Sequence, residues 1–363
     1  MASDIARLND FGQSPWYDNL TRTLVREGGL AALVADDGIR GVTSNPTIFE
    51  KAMAAGEGYD DQLRETVAAG LDVTDAYWAL VRDDISHAAK ILRPVYDATG
   101  GGDGYVSVEV SPELAHDTAP TIEQAKELFT ALGHRNVMIK IPATLEGLPA
   151  ITEVIGSGIN VNVTLIFSLE RHAEVIEAYL AGLDQLAAAG GDLASVASVA
   201  SFFVSRVDTE ADKRLPGDSP LRGHVAVANA RLAYELFRDR FSGARWDALA
   251  AQGARLQRPL WASTSTKNPA YPPTLYVDEL VGPDTVNTLA PASITALQAG
   301  EATLRADAVA DDLTGAHAVI DGLADVDVDF ADVTATIERE GVASFAASFQ
   351  DALATLDKRR ANL

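Results

Sequence analysis

The chain predicts an α/β protein whose parallel sheet closes into a (β/α)8 barrel. Two observations carry this expectation. Short apolar runs rich in β-branched residues alternate with helical stretches, the pattern of parallel strands joined by crossover helices. Eight such runs occur in one chain, the number that closes a barrel. The strand candidates are Ser14–Asp18, Gly41–Asn45, Tyr105–Val110, Val137–Ile141, Asn160–Phe167, Val196–Val204, Leu256–Ala262 and Thr285–Leu289. Between them, Asn19–Val34, Val73–Tyr96, Ile122–Leu132, Leu145–Ile155, Leu169–Ala189 and Arg222–Phe241 read as helices. The first strand is short, and Thr274–Val281 competes with Thr285–Leu289 for the eighth place.

A barrel of this kind can use all 363 residues as one unit. Residues 1–363 are therefore expected to form a single domain, with extra helices at about 50–100 and 305–363. No short-period repeat or low-complexity linker divides the chain. Gly100-Gly101-Gly102-Asp103-Gly104 resembles a phosphate loop in composition. It precedes a strand instead of following one into a helix, so it reads as a turn.

Composition excludes several classes of function. The chain is 47% hydrophobic and 22% charged and has no cysteine. Disulfides, thiolate nucleophiles and Cys-based metal sites are ruled out, and a cytoplasmic location fits. The start lacks the apolar core of a signal peptide, and no apolar run approaches a membrane span. A net charge of −23 argues against nucleic acid as a partner. It also means that a phosphorylated substrate needs a local cationic cluster to overcome a repelling field. There is no HExxH or EF-hand pattern, and no metal is expected. The six histidines lack ligand spacing and read as surface or capping residues.

Polar residues inside the strands locate the chemistry. Side chains alternate between the two faces of a strand, so one parity lines the barrel interior. In Asn160-Val161-Asn162-Val163-Thr164-Leu165 the even positions are polar. Ser107 and Glu109 share one parity in their strand, as do Gly41, Thr43 and Asn45 in theirs. Lys140 is opposite in parity to Val137, Ile139 and Ile141, and it is the one lysine of seven set in an apolar strand. An unpaired buried ion costs several kcal/mol. Neighbouring strands lie about 4.8 Å apart, so Glu109 and Lys140 can meet. A structural ion pair is the ordinary explanation for a lysine in a strand. Pro142 just after Lys140 places it instead at the carboxyl end, where barrel active sites sit.

An inward lysine suits Schiff-base chemistry. An amine attacks a carbonyl only when unprotonated, and burial disfavours the ammonium. The resulting iminium accepts electrons from a breaking carbon–carbon bond. Glu109 and Asp18, at strand ends, are candidates for the proton transfers. Ser201 and Arg206 close the sixth strand, and Ser265 and Lys267 follow the seventh. Barrels often bind phosphate near their last strands, where Arg offers a bidentate fork and Lys a point charge.

Three segments carry a family resemblance. Gly41-Val42-Thr43-Ser44-Asn45-Pro46-Thr47-Ile48-Phe49 resembles the second-strand signature of the transaldolases. Val137-Met138-Ile139-Lys140-Ile141-Pro142-Ala143-Thr144 resembles their Schiff-base lysine signature, and Asn162-Val163-Thr164-Leu165-Ile166-Phe167-Ser168 the strand after it. With Asp18, Glu109 and the two phosphate segments, the match spans roughly residues 14–295 in family order. It implies a TIM-type barrel of the class I aldolase superfamily, needing no cofactor. It also implies transfer of a dihydroxyacetone unit from fructose 6-phosphate or sedoheptulose 7-phosphate to erythrose 4-phosphate or glyceraldehyde 3-phosphate, in the pentose phosphate pathway. Carried across, Lys140 is the nucleophile, and Glu109 shuttles protons through a water held with Thr164. Asp18 acts at the cleaved bond, and Asn45 binds the dihydroxyacetone portion. Ser201, Arg206, Ser265 and Lys267 face the sugar chain and its phosphate. Compact members often carry arginine where Lys267 stands. The chain is also longer than those members, as in an extended bacterial branch, so a homo-oligomeric state is not borrowed from them. A fructose-6-phosphate aldolase and a non-catalytic sugar-phosphate-binding barrel are the competing readings.

Overall fold

The computed structural model describes residues 3–363. Eight parallel strands close in chain order. They are β1 (Gln13–Tyr17), β2 (Gly41–Val42), β3 (Tyr105–Glu109), β4 (Val137–Pro142), β5 (Val161–Ile166), β6 (Ser198–Phe203), β7 (Gln257–Ala262) and β8 (Thr285–Leu289). β8 pairs back onto β1, aligning Gln13 with Thr285 and Tyr17 with Leu289. All eight predicted strands are present. Thr274–Val281 is not a strand; Leu275–Glu279 is a helical turn there. The helix expected over Asn19–Val34 is two short ones, Arg22–Arg26 and Gly29–Asp36. Gly28 separates them at φ 88°, a left-handed conformation that glycine adopts without steric cost.

β2 is shorter than predicted. Thr43, Ser44 and Asn45 leave the sheet, and Asn45 becomes the N-cap of the helix Pro46–Ala55, its side chain accepting the Ile48 N–H at 3.0 Å. Asn–Pro is a strong helix start because the cap oxygen satisfies an orphan N–H and proline has none to orphan. β5 departs from simple alternation. Leu165 takes φ 61°, and the β5–β6 register shifts between Val163 and Ile166, a bulge that ends the parity rule at Thr164.

A cavity opens at each mouth, and the inward side-chain rows run between them. The amino-terminal cavity touches Ser14, Met138, Val199 and Arg258; the carboxyl-terminal one touches Asp18, Lys140, Ser201, Phe203 and Ala262. Matching parity joins Ser14 to Asp18, Met138 to Lys140, and Arg258 to Ala262. Hydrogen bonds brace the rim of the amino-terminal mouth. Asp103 accepts from Ser14, Trp16 and Arg258. Arg258 and Arg255 also bond the Gly102 and Gly100 carbonyls. The glycine-rich segment is thus a turn locked to the barrel floor. Gly104 is required there, since a Cβ would stand 2.3 Å from the Tyr96 backbone nitrogen.

The helix Phe330–Arg360 crosses the carboxyl-terminal mouth. Its 31 residues make it about 46 Å long. Arg214 holds Asp332 near its start at 2.6 Å, and Arg359 bonds Asp60 and the Met53 carbonyl near its end. In the middle, Thr47 and Ser348 share a hydrogen bond of 2.7 Å. Phe349 meets Tyr77 edge-on at 5.1 Å. Gly341 allows a close approach to the barrel, since a Cβ there would come within 3.0 Å of Leu165 and 3.3 Å of Arg206. Among the described residues, no helix is long and apolar enough to cross a membrane.

Candidate active site

Lys140 sits at the floor of a cavity of about 480 Å³ at the carboxyl ends of the strands. Its strand partners are Glu109 on one side and Asn162 on the other. Nζ lies 3.1 Å from Glu109 Oε2 and 3.3 Å from the Ser44 carbonyl. Both side chains of the pair are 5% exposed, so the ionic partnership is nearly cut off from solvent. Burial pushes the Glu109 carboxyl above its usual range, outweighing the opposing pull of the Lys140 ammonium. The Phe345 ring, from the crossing helix, stands 5.5 Å from Nζ on the open side.

Asp18 lies one residue past the end of β1, on the same cavity wall. Its Oδ1 accepts the Thr43 hydroxyl at 2.7 Å, and Thr43 is bonded in turn to Thr288 at 2.6 Å. Burial raises the Asp18 carboxyl, while the Thr43 bond and the charges of Lys140, Lys267 and Arg206 oppose it. Two buried carboxyls with raised pKa thus flank one lysine, a combination suited to proton transfer. Thr164 faces the same cavity, and its Oγ1 is buried with no hydrogen-bond partner among the described residues. Ser201 reaches the cavity with its proton committed to Asn162 at 2.7 Å, and Asn162 donates to Ser107 at 3.0 Å. Only the Ser201 oxygen remains free to accept.

Cationic side chains line the same cavity. Arg206 is half-buried and lies over Phe203 at 5.3 Å and Phe345 at 5.9 Å. It makes no ion pair or hydrogen bond with the described residues. Lys267 donates to Ser265 at 2.8 Å. Desolvation, Arg206 and Lys51 all lower the Lys267 pKa, with Asp18 pulling the other way. Uncompensated positive charge on the wall of a concavity is an anion site by its electrostatics.

Eight of the nine residues singled out from sequence line this one cavity: Asp18, Asn45, Lys140, Thr164, Ser201, Arg206, Ser265 and Lys267. Glu109 does not; it stands behind Lys140 beside Tyr77, Trp78 and Phe349. Asn45 lines the cavity while its Oδ1 accepts the Ile48 N–H of the helix cap. Lys51, Ser344 and Phe345 also line it. Sequence reasoning missed all three. Lys51 is a solvent-facing helical lysine by pattern, and the other two arrive from a helix some 200 residues after Lys140. Among the described residues no group of three or more His, Cys, Asp or Glu side chains is placed to hold a metal ion.

Known proteins match this chain from end to end. The sequence model of the Transaldolase/Fructose-6-phosphate aldolase family fits residues 15–356. A protein named Transaldolase from Saccharopolyspora erythraea is 51% identical over 357 residues, covering 98% of this chain and 97% of its own. Thermobifida fusca has one that is 51% identical over 358 residues, covering 97% of each chain. Transaldolase 1 of Streptomyces avermitilis is 52% identical over 355 residues, 96% of this chain and 94% of its own. A closed eight-stranded barrel, a lysine paired with a carboxylate at its carboxyl mouth, and a sequence match over nearly the whole length agree: the chain belongs to the transaldolase/fructose-6-phosphate aldolase family.

Proposed function

We propose that this chain is a transaldolase, carrying a dihydroxyacetone unit between sugar phosphates on a Schiff base at Lys140. The observation that carries the reading is the cavity itself. A lysine paired with a buried carboxylate lies at its floor, and unpaired cations line its wall. A binding protein would need the cations alone.

In this reading Lys140 gives a proton to Glu109 and attacks the C2 carbonyl of a ketose phosphate. A C2–N bond forms, and the carbonyl oxygen becomes the hydroxyl of a carbinolamine. Glu109 returns the proton through a water held at the unpartnered Thr164 hydroxyl, and the hydroxyl departs as water to leave an iminium. Asp18 removes the proton from the C4 hydroxyl. The C3–C4 bond breaks, its electron pair moves into the iminium to give an enamine, and an aldose phosphate leaves. The enamine carbon then attacks an incoming aldehyde, whose oxygen takes the proton from Asp18. Water finally hydrolyses the new iminium and frees Lys140. Asn45 holds the three-carbon unit through its amide N–H groups. Ser201 accepts from a sugar hydroxyl, and Arg206, Ser265 and Lys267 hold the chain and its phosphate.

Incubation with fructose 6-phosphate, borohydride reduction and peptide mass spectrometry test this. A three-carbon adduct on Lys140 is expected. No adduct on that residue defeats the reading. If dihydroxyacetone is released as fast without erythrose 4-phosphate as with it, the enzyme is the aldolase of the same family and not the transferase.

A further inference from the structure

Lys51 stands six residues beyond the Asn45 cap on the helix Pro46–Ala55. Ile48, Lys51, Ala52 and Ala55 all touch the cavity, the spacing of one helical face. Lys51 is the charged member of that face. It is exposed and makes no ion pair or hydrogen bond with the described residues, so the fold does not need its charge. Its ammonium is close enough to Lys267 to depress that residue's pKa. Three positive charges, Arg206, Lys267 and Lys51, therefore gather on one cavity in a chain of net charge −23. Lys267 is bonded to Ser265, and Arg206 is bracketed by two aromatic rings. Lys51 is the member with a free four-carbon stem.

We propose that Lys51 is a specificity residue for the phosphate end of the sugar, closing over it from the Pro46–Ala55 helix to complement Arg206 and Lys267. It touches the group that identifies the substrate and none of the reacting atoms. This rests on the transaldolase reading, because the phosphate is that substrate's distal end. A compact ammonium on a mobile stem follows a phosphate whose distance from the imine carbon differs between six- and seven-carbon donors. A fixed guanidinium does this less well.

The test is steady-state kinetics of the full chain and its Lys51→Met, Lys51→Glu and Lys51→Arg variants. Erythrose 4-phosphate is the phosphorylated acceptor and D-glyceraldehyde the unphosphorylated one. Lys51→Met should raise KM for erythrose 4-phosphate about fivefold, the worth of one partly solvated ion pair. It should weaken inhibition by inorganic phosphate to a similar degree, with kcat within about twofold. The kcat/KM ratio between the two acceptors should fall, fall further in Lys51→Glu, and recover in Lys51→Arg. A merely structural role would not produce this charge order or favour one acceptor. An unchanged ratio in Lys51→Met and Lys51→Glu overturns the proposal. If wild type forms no borohydride-trapped adduct with fructose 6-phosphate, the transaldolase reading fails. Binding of inorganic phosphate to wild type and Lys51→Met then decides the Lys51 assignment, and equal affinities overturn it.

Discussion

Replacing His172 with leucine should remove a defined part of the protein's acid sensitivity. His172 lies on the helix Leu169–Ala188, fully buried, its ring 5.6 Å from that of Phe202. Neither ring nitrogen has a hydrogen-bond partner among the described residues. This corrects the expectation from sequence that every histidine has a surface or capping role. Burial pushes the imidazole pKa down to about 4, from 6.5 when free. The unfolded chain takes up a proton below about pH 6.5 that the folded chain refuses until about pH 4. The stability tied to the neutral ring is thus complete above about pH 6.5 and drains away as the pH falls toward 4. Between about pH 7 and 5 these two pKa values give a loss of about 1.8 kcal/mol. The lower limit stays above the pI of about 4.5, where an acidic protein loses solubility. Asp208 works in the opposite sense. Burial raises its pKa to about 6 despite bonds from the Ala226 N–H and the Tyr276 hydroxyl, so its stability is lost as pH rises toward 6. The wild-type profile alone is a mixture, and the comparison with His172→Leu isolates the histidine. Any packing cost of the substitution is independent of pH and cancels. Urea unfolding of both proteins at each pH gives the comparison. A wild-type minus variant difference that changes by less than about 0.5 kcal/mol across this range would refute the reasoning.

Three further outcomes follow from the site. Glu109→Gln should slow adduct formation by about 10²- to 10⁴-fold, the usual worth of a proton-transfer group; because burial raises the Glu109 carboxyl, the wild-type rate should fall as pH drops through a limb above the ordinary glutamate range, and the variant should lack that limb. Asp18→Asn should still form the imine yet fail to break the carbon–carbon bond, so borohydride should trap a six-carbon adduct where wild type yields a three-carbon one; a three-carbon adduct in this variant removes Asp18 from the cleavage step. Arg206→Met should raise KM for sugar phosphates by about tenfold or more while unfolding no earlier in urea, since no buried carboxylate is orphaned by its loss; a large loss of stability would make Arg206 a structural residue.

The sequence carried the central pair because strand parity is a local rule. Lys140 and Glu109 are out of keeping with their apolar strands, and the register pairs them directly. Parity failed where the chain leaves regular structure. Nothing in the composition of Val163–Ile166 announces the left-handed Leu165, whose side chain lies against Gly341 of the distant crossing helix. Asn45 was predicted at a strand end and works as a helix cap, which the Asn–Pro pair signals. The break at Gly28 is written in a Gly–Gly step, although the apolar run around it has the pattern of one continuous helix. Phe345 was not legible, because its relation to Lys140 depends on where a distant helix comes to rest. Lys51 was hidden for another reason. Its local pattern is that of any solvated lysine, and only the position of the Pro46–Ala55 helix over the mouth gives it a role.

Charge pairing makes Arg206 the more informative residue of the cationic wall. The chain holds 52 acidic residues against 29 lysines and arginines, so an arginine here has every opportunity to find a carboxylate. Others do: Arg22 with the buried Asp84, Arg258 with Asp103, Arg214 with Asp332, Arg305 with Glu279. Arg206 is half-buried and still makes no ion pair with the described residues. Withdrawing a guanidinium from water without a counterion is costly, and two aromatic faces offset only part of that cost. Asp18 lines the same cavity and is tied to Thr43. Keeping the two apart leaves a half-buried cation on the cavity wall, where its field favours an anion.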